Sequence, residues 1–289
     1  MIRLLAIGII ALCIGGFAAN AEPISIVAAE NFYGDVAEQI GGPSVKVSSI
    51  LANPDQDPHM FEASPSIARQ LADARIVVFN GADYDPWIAK LLAGSRQPGR
   101  KTIEVATLLG VRSGANPHLW YDPNTMPRYA EALGNLLVAE DPAHSADYKR
   151  RIAAFKSSLG PLKAKLESMK AAYSGTPVTA TEPVFGYMAS ALGLEMRNTR
   201  FQLAIMNDTE PGASDVAAFE NDLRNHRVRA FLYNNQTSGA LAEKMKTIAT
   251  ESGVPVVGVS ETEPPRTTYQ AWMLAELSAL DSALSGKQP

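Results

Sequence analysis

The sequence predicts two α/β lobes, each built on a parallel sheet with helices on both faces, joined by one long helix. Strand-like and helix-like runs alternate from Ile24 onward through both halves of the chain, which is typical of parallel sheets. Between the halves lies an amphipathic run of helical period, with no low-complexity linker. Ligands of such sheets bind outside the carboxyl ends of the strands, so a site is expected in the cleft between the lobes.

Each strand-like run in the first half is followed by a helix-like one. "VKVSSIL" has apolar residues at alternate positions, and the helix after it opens with Ser64-Pro65, a favoured start. The predicted order is "ISIVAAE", the helix "FYGDVAEQIG", "VKVSSIL", the helix "SPSIARQLADA", "RIVVFNG", the helix "YDPWIAKLLAG", "KTIEVA", the segment "HLWYDP" and a helix over about 125–139.

The second half repeats this alternation, which is why a second lobe is expected. The predicted order is "PVTATE", a helix over 184–192, a helix over about 213–225, "VRAFLYN", the helix "ALAEKMKTIATESG", "VPVVGVS" and a final helix from about Thr268.

One continuous helix face is predicted between the lobes, because its apolar residues alternate in steps of four and three. Gly160-Pro161 is expected to kink this helix, since a proline removes one backbone hydrogen bond. The apolar positions are Tyr148, Ile152, Phe155, Leu159, Leu162, Leu166, Met169 and Tyr173. The expected organisation is a signal peptide (1–21), an N-terminal lobe (22–140), a linking helix (141–174) and a C-terminal lobe (175–289).

The first 21 residues have the pattern of a secretory signal peptide. Arg3 precedes an apolar run, and "ANA" offers small residues for cleavage after Ala21. The apolar run is shorter than a membrane-spanning helix requires, and no later segment is long and apolar enough, so no stable membrane insertion is expected. Cys13, the only cysteine, follows the bulky Leu12, which argues against a lipid anchor.

The composition excludes several classes of function. With Cys13 inside the signal, the mature chain has no cysteine for disulfides, thiolate catalysis or thiolate metal ligands. The formal charge is −4, and removing the signal, which holds one arginine and no acid, makes it −5. Because there is no basic block, nucleic acid is not expected as a partner. The mild acidity is compatible with a cationic ligand.

Four residues follow strand-like runs or stand in the turns just after them: His59, His118, Glu182 and Glu261. Two neutral imidazoles and two carboxylates form a suitable set of ligands for a divalent transition ion. The carboxylates favour manganese or ferrous iron more than a histidine-only site would. Asn116 and Asp122 are near enough in sequence to orient an imidazole through its other nitrogen.

Each of these residues also has an ordinary structural interpretation. A histidine in a loop is usually solvated, and Glu182 could simply favour the positive end of the helix that it precedes. Glu261 and Glu263 could be ordinary acids of a turn. His144, in the first turn of the predicted linking helix, is expected to be solvated, and His226 stands at a predicted helix C-terminal end, where a cation is favoured. Spacing alone leaves the metal hypothesis and these alternatives about equally supported.

Four segments in order resemble the metal-binding solute receptors of ABC importers for zinc, manganese and iron: "DPHMFEASPS", "NPHLWYDP", "TEPVFGYMASALGL" and "GVPVVGVSETEPP". The resemblance covers essentially the whole mature chain. It implies a fold of two Rossmann-like α/β lobes bridged by one long helix, with the metal in the cleft between them. It also implies a periplasmic location, an ABC transporter membrane permease as partner, and one divalent metal ion as cargo. A monomer without enzymatic activity is expected.

The resemblance places metal ligands at His59, His118 and Glu182, while the fourth position departs from the family pattern. The family usually has aspartate there, and the nearest alignment gives Ser260, with Glu261 one residue later. Glu261 is favoured because serine is a poor ligand. The 58 residues between His59 and His118 (60–117) contain no histidine, whereas zinc members often carry a histidine-rich loop there. Manganese or iron is therefore favoured, with zinc as the alternative.

Two other classes of function compete with a receptor. A secreted metal-dependent hydrolase needs an open coordination position and a general base, but the chain has no HExxH or similar compact motif. An adhesin of the same fold would be displayed at the surface, which the missing lipid-anchor motif argues against. A zinc-specific receptor of the same family is the third alternative.

Overall fold

The computed structural model of the protein describes residues 22–56, 58–95, 97–237 and 239–286, without the side chain of His59. The predicted signal peptide, its cleavage after Ala21 and Cys13 lie outside the described residues. Within them, no helix is long and apolar enough to cross a membrane.

The described residues form two four-stranded sheets in which every pair of neighbouring strands is parallel. The strand order is β2-β1-β3-β4 in the first sheet and β6-β5-β7-β8 in the second, so the two lobes share one topology. The strands are β1 (Ile24–Glu30), β2 (Val45–Leu51), β3 (Ile76–Phe79), β4 (Lys101–Glu104), β5 (Pro177–Ala180), β6 (Glu195–Met196), β7 (Phe231–Asn234) and β8 (Val256–Val259).

Helices follow the strands on both faces, as the alternating pattern predicts. The α-helices are α1 (Asn31–Gly41), α2 (Pro65–Asp73), α3 (Pro86–Gly94), α4 (Val105–Leu109), α5 (Thr125–Glu140), α6 (Ser145–Ser158), α7 (Gly160–Tyr173), α8 (Gly186–Ala191), α9 (Thr199–Met206), α10 (Ala213–Arg224), α11 (Ala240–Glu251) and α12 (Tyr269–Ser285). The 3-10 turns are Gly42–Ser44, Pro58–Met60, Leu119–Tyr121, Pro142–His144 and Pro183–Phe185.

Two elements of the C-terminal lobe, β6 and α9, are not indicated by the sequence pattern. β6 has only two residues, one exposed and one partly buried, so it lacks the apolar run that marks a strand. α9 has eight residues, and only Phe201 and Gln202 are buried, which gives too short an apolar face to detect.

The linking segment is helical and is interrupted just before the proline, close to the predicted kink. α6 ends at Ser158 and α7 begins at Gly160, with Pro161 in its first turn. All eight predicted apolar positions belong to or pack against one hydrophobic cluster, which also contains residues of both sheets, such as Val78 and Leu232. The two lobes therefore share a continuous core, so the linking helices act as a rigid support.

Polar contacts from one face of α1 add to this shared core. Asn31 exchanges two hydrogen bonds with the backbone of Glu263, at 2.7 and 3.1 Å. The Asp35 carboxylate accepts from the amide of Tyr269 at 2.9 Å, which satisfies a donor at the start of α12. Because these contacts span the two lobes, they fix one side of the interface.

Candidate metal centre

The structure places Glu182 and Glu261 at the carboxyl end of the second sheet, where Glu261 faces His118 of the other lobe. Glu182 lies two residues beyond β5, and Glu261 lies two residues beyond β8. His118 precedes the 3-10 turn Leu119–Tyr121 and follows an irregular segment, whereas the sequence indicated a strand end. His59 lies in the 3-10 turn Pro58–Met60, and its side chain is outside the described part of the chain.

The ring of His118 is buried and held in one orientation by Asn116. Asn116 donates from Nδ2 to the carbonyl of Pro183 at 2.8 Å, so its Oδ1 is the atom that faces His118. That oxygen lies 2.6 Å from His118 Nδ1 and also accepts from the His118 amide at 3.1 Å. Nδ1 therefore carries a proton, so that in the neutral ring Nε2 is the nitrogen that presents a lone pair, as a metal ligand requires.

Close packing around Asn116 depends on a glycine at the start of α8. A Cβ on Gly186 would lie 2.9 Å from Asn116 Nδ2, closer than carbon and nitrogen normally approach. The hydroxyl of Tyr187, the next residue, donates to the carbonyl of Asn116 at 2.8 Å. α8 of the C-terminal lobe thus fixes the residue that orients His118 of the N-terminal lobe.

His118 and Glu261 face each other across the lobe interface. Nε2 of His118 lies 3.3 Å from Oε2 of Glu261, and both side chains are fully buried. Two donors about 2.1 Å from one ion at a tetrahedral angle are roughly 3.4 Å apart, so this spacing suits a shared ion. Either a metal ion or a proton between this nitrogen and this oxygen would stabilise their close approach.

Glu182 joins this pair through Asn234, the last residue of β7. Asn234 Nδ2 donates to Glu182 Oε1 at 3.2 Å and to Glu261 Oε1 at 2.7 Å. The hydroxyl of Thr237 also donates to Glu182 Oε1. The two carboxylates are thus brought to the two hydrogens of one buried amide.

Gln236 connects the Glu261 turn to the loop that carries His59. Its side chain accepts from the amide of Glu261 at 2.6 Å and donates to the hydroxyl of Thr262 at 3.0 Å. The same Nε2 donates to the carbonyl of Gln56, three residues before His59, at 2.8 Å. One buried amide therefore contacts both lobes beside the candidate ligands.

Ser260, the alternative to Glu261, is engaged elsewhere. Its hydroxyl donates to the carbonyl of Thr262 at 3.2 Å, and its own carbonyl accepts from the hydroxyl of Tyr121 at 2.7 Å. Its amide lies 3.2 Å from the carboxyl of Glu276, whose pKa burial raises to about 8. The turn before Glu261 is therefore held by buried groups, while the Glu261 side chain faces His118.

Glu263 is buried, although the sequence was compatible with an ordinary acid of an exposed turn. Only 4% of its surface is exposed, and burial, followed by repulsion from Asp35 and Glu38, raises its pKa to about 9. Glu263 is therefore protonated at neutral pH, and its backbone supports the contact with Asn31.

Tyr84 closes the N-terminal side of the centre. Its hydroxyl hydrogen-bonds with Glu261, its ring lies edge-on to His118 at 6.0 Å, and burial raises its pKa well above the usual value. The loop before it has three consecutive residues with positive φ, namely Gly81, Ala82 and Asp83. Such conformations are costly for residues other than glycine, so the surrounding structure must impose them to direct Tyr84 inward.

In the described part of the structure, three of the four predicted ligands lie close together: His118, Glu182 and Glu261. The described side chains contain no group of three or more His, Cys, Asp or Glu already spaced to hold an ion, and His59 is outside that comparison. Two buried carboxylates repel each other, and here the Asn234 amide lies between them. The arrangement offers one imidazole nitrogen and two carboxyl groups in a buried site, which suits cation capture.

Sequence reasoning missed Asn234, Gln236, Thr237 and Tyr84. Asn234, Gln236 and Thr237 belong to the polar run "NNQT" after "VRAFLY", so the strand-end argument that indicated Glu182 and Glu261 also applies to this run. Tyr84 gave no comparable signal, because its position depends on the unusual backbone of residues 81–83.

Residues 26–283 match the model of the family "Zinc-uptake complex component A periplasmic" (ZnuA). The chain is 22% identical over 255 residues to the manganese ABC transporter substrate-binding lipoprotein PsaA of Streptococcus pneumoniae, covering 82% of this chain and 79% of that protein. It is 22% identical over 289 residues to the iron ABC transporter substrate-binding lipoprotein MtsA of Streptococcus pyogenes serotype M1, covering 92% and 91%.

The fold matches that of the periplasmic zinc binding protein TroA from Treponema pallidum. The TM-score is 0.76 at 17% identity, and the match covers 91% of this chain and 99% of the other. The family is made up of substrate-binding receptors and not of enzymes, so the hydrolase alternative is not favoured. Because the family model spans nearly all of the described residues, the chain belongs to the periplasmic zinc-uptake component A family of metal ABC-importer receptors.

Proposed function

We propose that this receptor captures one divalent transition metal between its lobes, with His59, His118, Glu182 and Glu261 as the ligands, and delivers it to the permease of an ABC importer. The set draws two imidazoles from the N-terminal lobe and two carboxylates from the C-terminal lobe. Metal binding would then join the two lobes, and the charge of the ion would be offset by the two carboxylates.

The observation that carries this proposal is the approach of His118 Nε2 to Glu261 Oε2 at 3.3 Å, with both side chains buried. Asn116 directs the lone pair of Nε2 toward Glu261, and Asn234 holds both carboxylates. Ser260 does not compete for this role, because its hydroxyl donates to the Thr262 carbonyl. These contacts support Glu261 as the fourth ligand.

We propose manganese or iron as the cargo, with zinc as the alternative. Two carboxylates and no histidine-rich loop support the first two ions. Relatives are named for manganese and iron transport, and the TroA structure is titled a zinc binding protein. Intrinsic affinities follow the Irving–Williams order, so the physiological cargo also depends on metal supply.

We propose that the protein is exported, cleaved after Ala21 and active as a periplasmic monomer, without nucleic acid as a partner. "Periplasmic" in the names of the family and of TroA supports the compartment. PsaA and MtsA are named lipoproteins, whereas the bulky Leu12 before Cys13 argues against lipid attachment here.

Release of the metal is proposed to proceed by local rearrangement rather than by wide opening of the lobes. The lobes share one hydrophobic core, and Asn31 and Asp35 fasten α1 to the C-terminal lobe. On the side of the metal centre, the described contact between the His59 loop and the other lobe is the hydrogen bond from Gln236 to Gln56.

Equilibrium dialysis followed by elemental analysis tests the proposal. The protein, stripped with chelator, should retain one ion of manganese, iron or zinc per chain after dialysis against micromolar metal. His118→Ala should lose this ion, because it removes a nitrogen donor outright. The matched control is His144→Ala, since His144 is partly exposed and contacts Asp141. Less than one tightly held ion per parent chain, or an equal loss in both variants, would overturn the proposal.

A further inference from the structure

The amide of Asn234 has an unusual position in the metal centre, because it lies between the two carboxylates that are proposed as ligands. Its two hydrogens go to Glu182 Oε1 at 3.2 Å and to Glu261 Oε1 at 2.7 Å. Asn234 is 2% exposed, so water does not readily replace either hydrogen bond.

The orientation of this amide is fixed by the backbone around it. Asn234 Oδ1 accepts from the amide of Gln236 at 3.1 Å, which leaves Nδ2 as the group that faces the carboxylates. The amide of Asn234 itself donates to the hydroxyl of Thr181 at 3.0 Å, and the residue lies in register with Val259 of β8. The donor is therefore held by the sheet and does not follow the carboxylates if they move.

A metal bound through both oxygens of a carboxylate would draw on the same oxygen that accepts from Asn234, and would weaken that hydrogen bond. Hydrogen bonds to a buried charged acceptor are among the stronger ones, so this weakening opposes two-oxygen binding. For Glu182 the opposition is larger, because Thr237 donates to the same Oε1. In Glu261 the other oxygen, Oε2, is the one that faces His118.

We infer that Asn234 restricts Glu182 and Glu261 to one metal-bound oxygen each and thereby sets the selectivity of the receptor among divalent ions. This inference rests on the proposed function. With one oxygen from each carboxylate and one nitrogen from each histidine, the protein supplies four donors. Four donors suit zinc, whereas manganese prefers about six and gains more from carboxylates that bind through both oxygens. Asn234 therefore shifts the preference toward zinc, whereas the residue types alone favour manganese or iron.

The test compares the dissociation constants of Zn²⁺ and Mn²⁺ for the parent and for Asn234→Ala, measured by competition with a chelator. The ratio of the manganese to the zinc constant should fall at least about tenfold in the variant, equivalent to about 1.4 kcal/mol. Thr237→Val should lower the ratio less, because Asn234 still donates to the same oxygen of Glu182 and to Glu261. The matched control, Asn235→Ala, changes the exposed neighbour and should leave the ratio unchanged.

A purely structural role for Asn234 would weaken binding of both ions equally and leave the ratio unaltered, which overturns the inference. If Asn234→Ala does not fold, a crystal structure of the zinc-loaded parent decides the matter. Each glutamate should then bind through one oxygen with the other still hydrogen-bonded to Asn234, and coordination by both oxygens of either glutamate overturns the inference. A parent that holds no ion refutes the proposed function instead, whereas a bound ion with an unchanged ratio refutes only this inference.

Discussion

The sheets of the two lobes have the same strand order, and each carries a glutamate and an asparagine at matching positions. In the first sheet Val27 pairs with Val77, and three residues beyond each lie Glu30 and Asn80. In the second sheet Thr179 pairs with Phe231, and three residues beyond each lie Glu182 and Asn234. Both pairs are buried at the carboxyl ends of their strands.

The partners of the two glutamates differ. Glu30 lies beside a second carboxyl, Asp85, which accepts from the amides of Asn80 and Gly81 at 2.6 and 2.8 Å. Burial and Asp85 raise the pKa of Glu30 well above its usual range, and burial raises that of Asp85 to about 6. At neutral pH a proton is therefore held between Glu30 and Asp85, which reduces the negative charge of these two carboxyls.

In the C-terminal lobe the second carboxylate, Glu261, faces His118, and the asparagine donates to both acids. Asn80 instead donates to the carbonyls of Gly81 and Pro117 and accepts from the hydroxyl of Tyr33. We therefore expect a metal at the second carboxyl pair and not at the first, because an imidazole nitrogen faces Glu261 whereas a second carboxyl lies beside Glu30.

The largest effects on metal affinity are expected from substitutions of the proposed ligands. They can be compared directly with the matching substitution at Glu30. His59→Ala removes a nitrogen donor and should cost more affinity than Glu261→Gln, which should lower affinity at least tenfold, about 1.4 kcal/mol. Glu30→Gln, the matching change in the other lobe, should leave affinity unchanged. Isothermal titration and the metal-induced rise in melting temperature should agree, because both report binding to the folded state.

Two control variants test which residue of the segment "GVPVVGVSETEPP" is the metal ligand. Glu263→Gln should change little, because Glu263 is protonated at neutral pH and an amide resembles a protonated carboxyl. Ser260→Ala should also bind metal normally, since its hydroxyl contacts a backbone carbonyl. If either variant loses metal while Glu261→Gln binds like the parent, the ligand assignment is wrong.

The second prediction concerns the proton held by the carboxyl pair of the N-terminal lobe. Because folding raises the pKa of these carboxyls, losing a proton costs more free energy in the folded state than in the unfolded state. The free energy of unfolding should therefore fall as pH rises from about 4. Glu30→Gln removes this effect while keeping a donor for Asp85. In metal-free protein its stability gain over the parent should be near zero at pH 4 and about 1 kcal/mol or more at pH 8.

Urea denaturation at several pH values measures this difference, with Glu22→Gln as the exposed control. A gain that is independent of pH, or largest at pH 4, contradicts a shared proton at Glu30 and Asp85.

A smaller effect is expected from Gln236, which bridges the lobes beside the site. Gln236→Ala removes the contacts to Gln56 and to the amide of Glu261, and should speed metal release by about tenfold, as for other groups that support ligands. Thr262→Val is the control, because it removes only a hydroxyl that the same side chain reaches. Stopped-flow transfer of metal to a chelator measures the rate, and equal rates for the two variants contradict a bridging role.

The smallest effect on metal selectivity is expected from Asn80, the counterpart of Asn234. Asn80→Ala should lower stability, because three hydrogen bonds of a buried side chain are lost. It should leave the ratio of manganese to zinc dissociation constants within about twofold of the parent, since no metal-facing carboxylate contacts Asn80. A change as large as that of Asn234→Ala indicates that selectivity depends on general packing.

The two-lobe α/β fold could be predicted from the sequence because it follows from local and periodic properties. Alternating apolar runs specify the strands and helices, and the apolar face from Tyr148 to Tyr173 specifies the linking helix with its break near Pro161. The resemblance also gave the family and the class of ligand. The missing elements β6 and α9 have too few apolar residues to form a pattern. The five-residue helix α4 was also missed, because it directly continues the strand-like run of β4.

The sequence determined which residue types stand at the ends of strands, but only the tertiary structure decided what each one faces. Glu30 and Glu182 both end or follow an apolar strand, and this strand pattern by itself does not distinguish them. Their surroundings differ because His118 and Asn116 arrive from a distant segment at one site, and Asp85 at the other. Local pattern is set by neighbours along the chain, whereas protonation and metal binding are set by burial and by charges that only folding brings together.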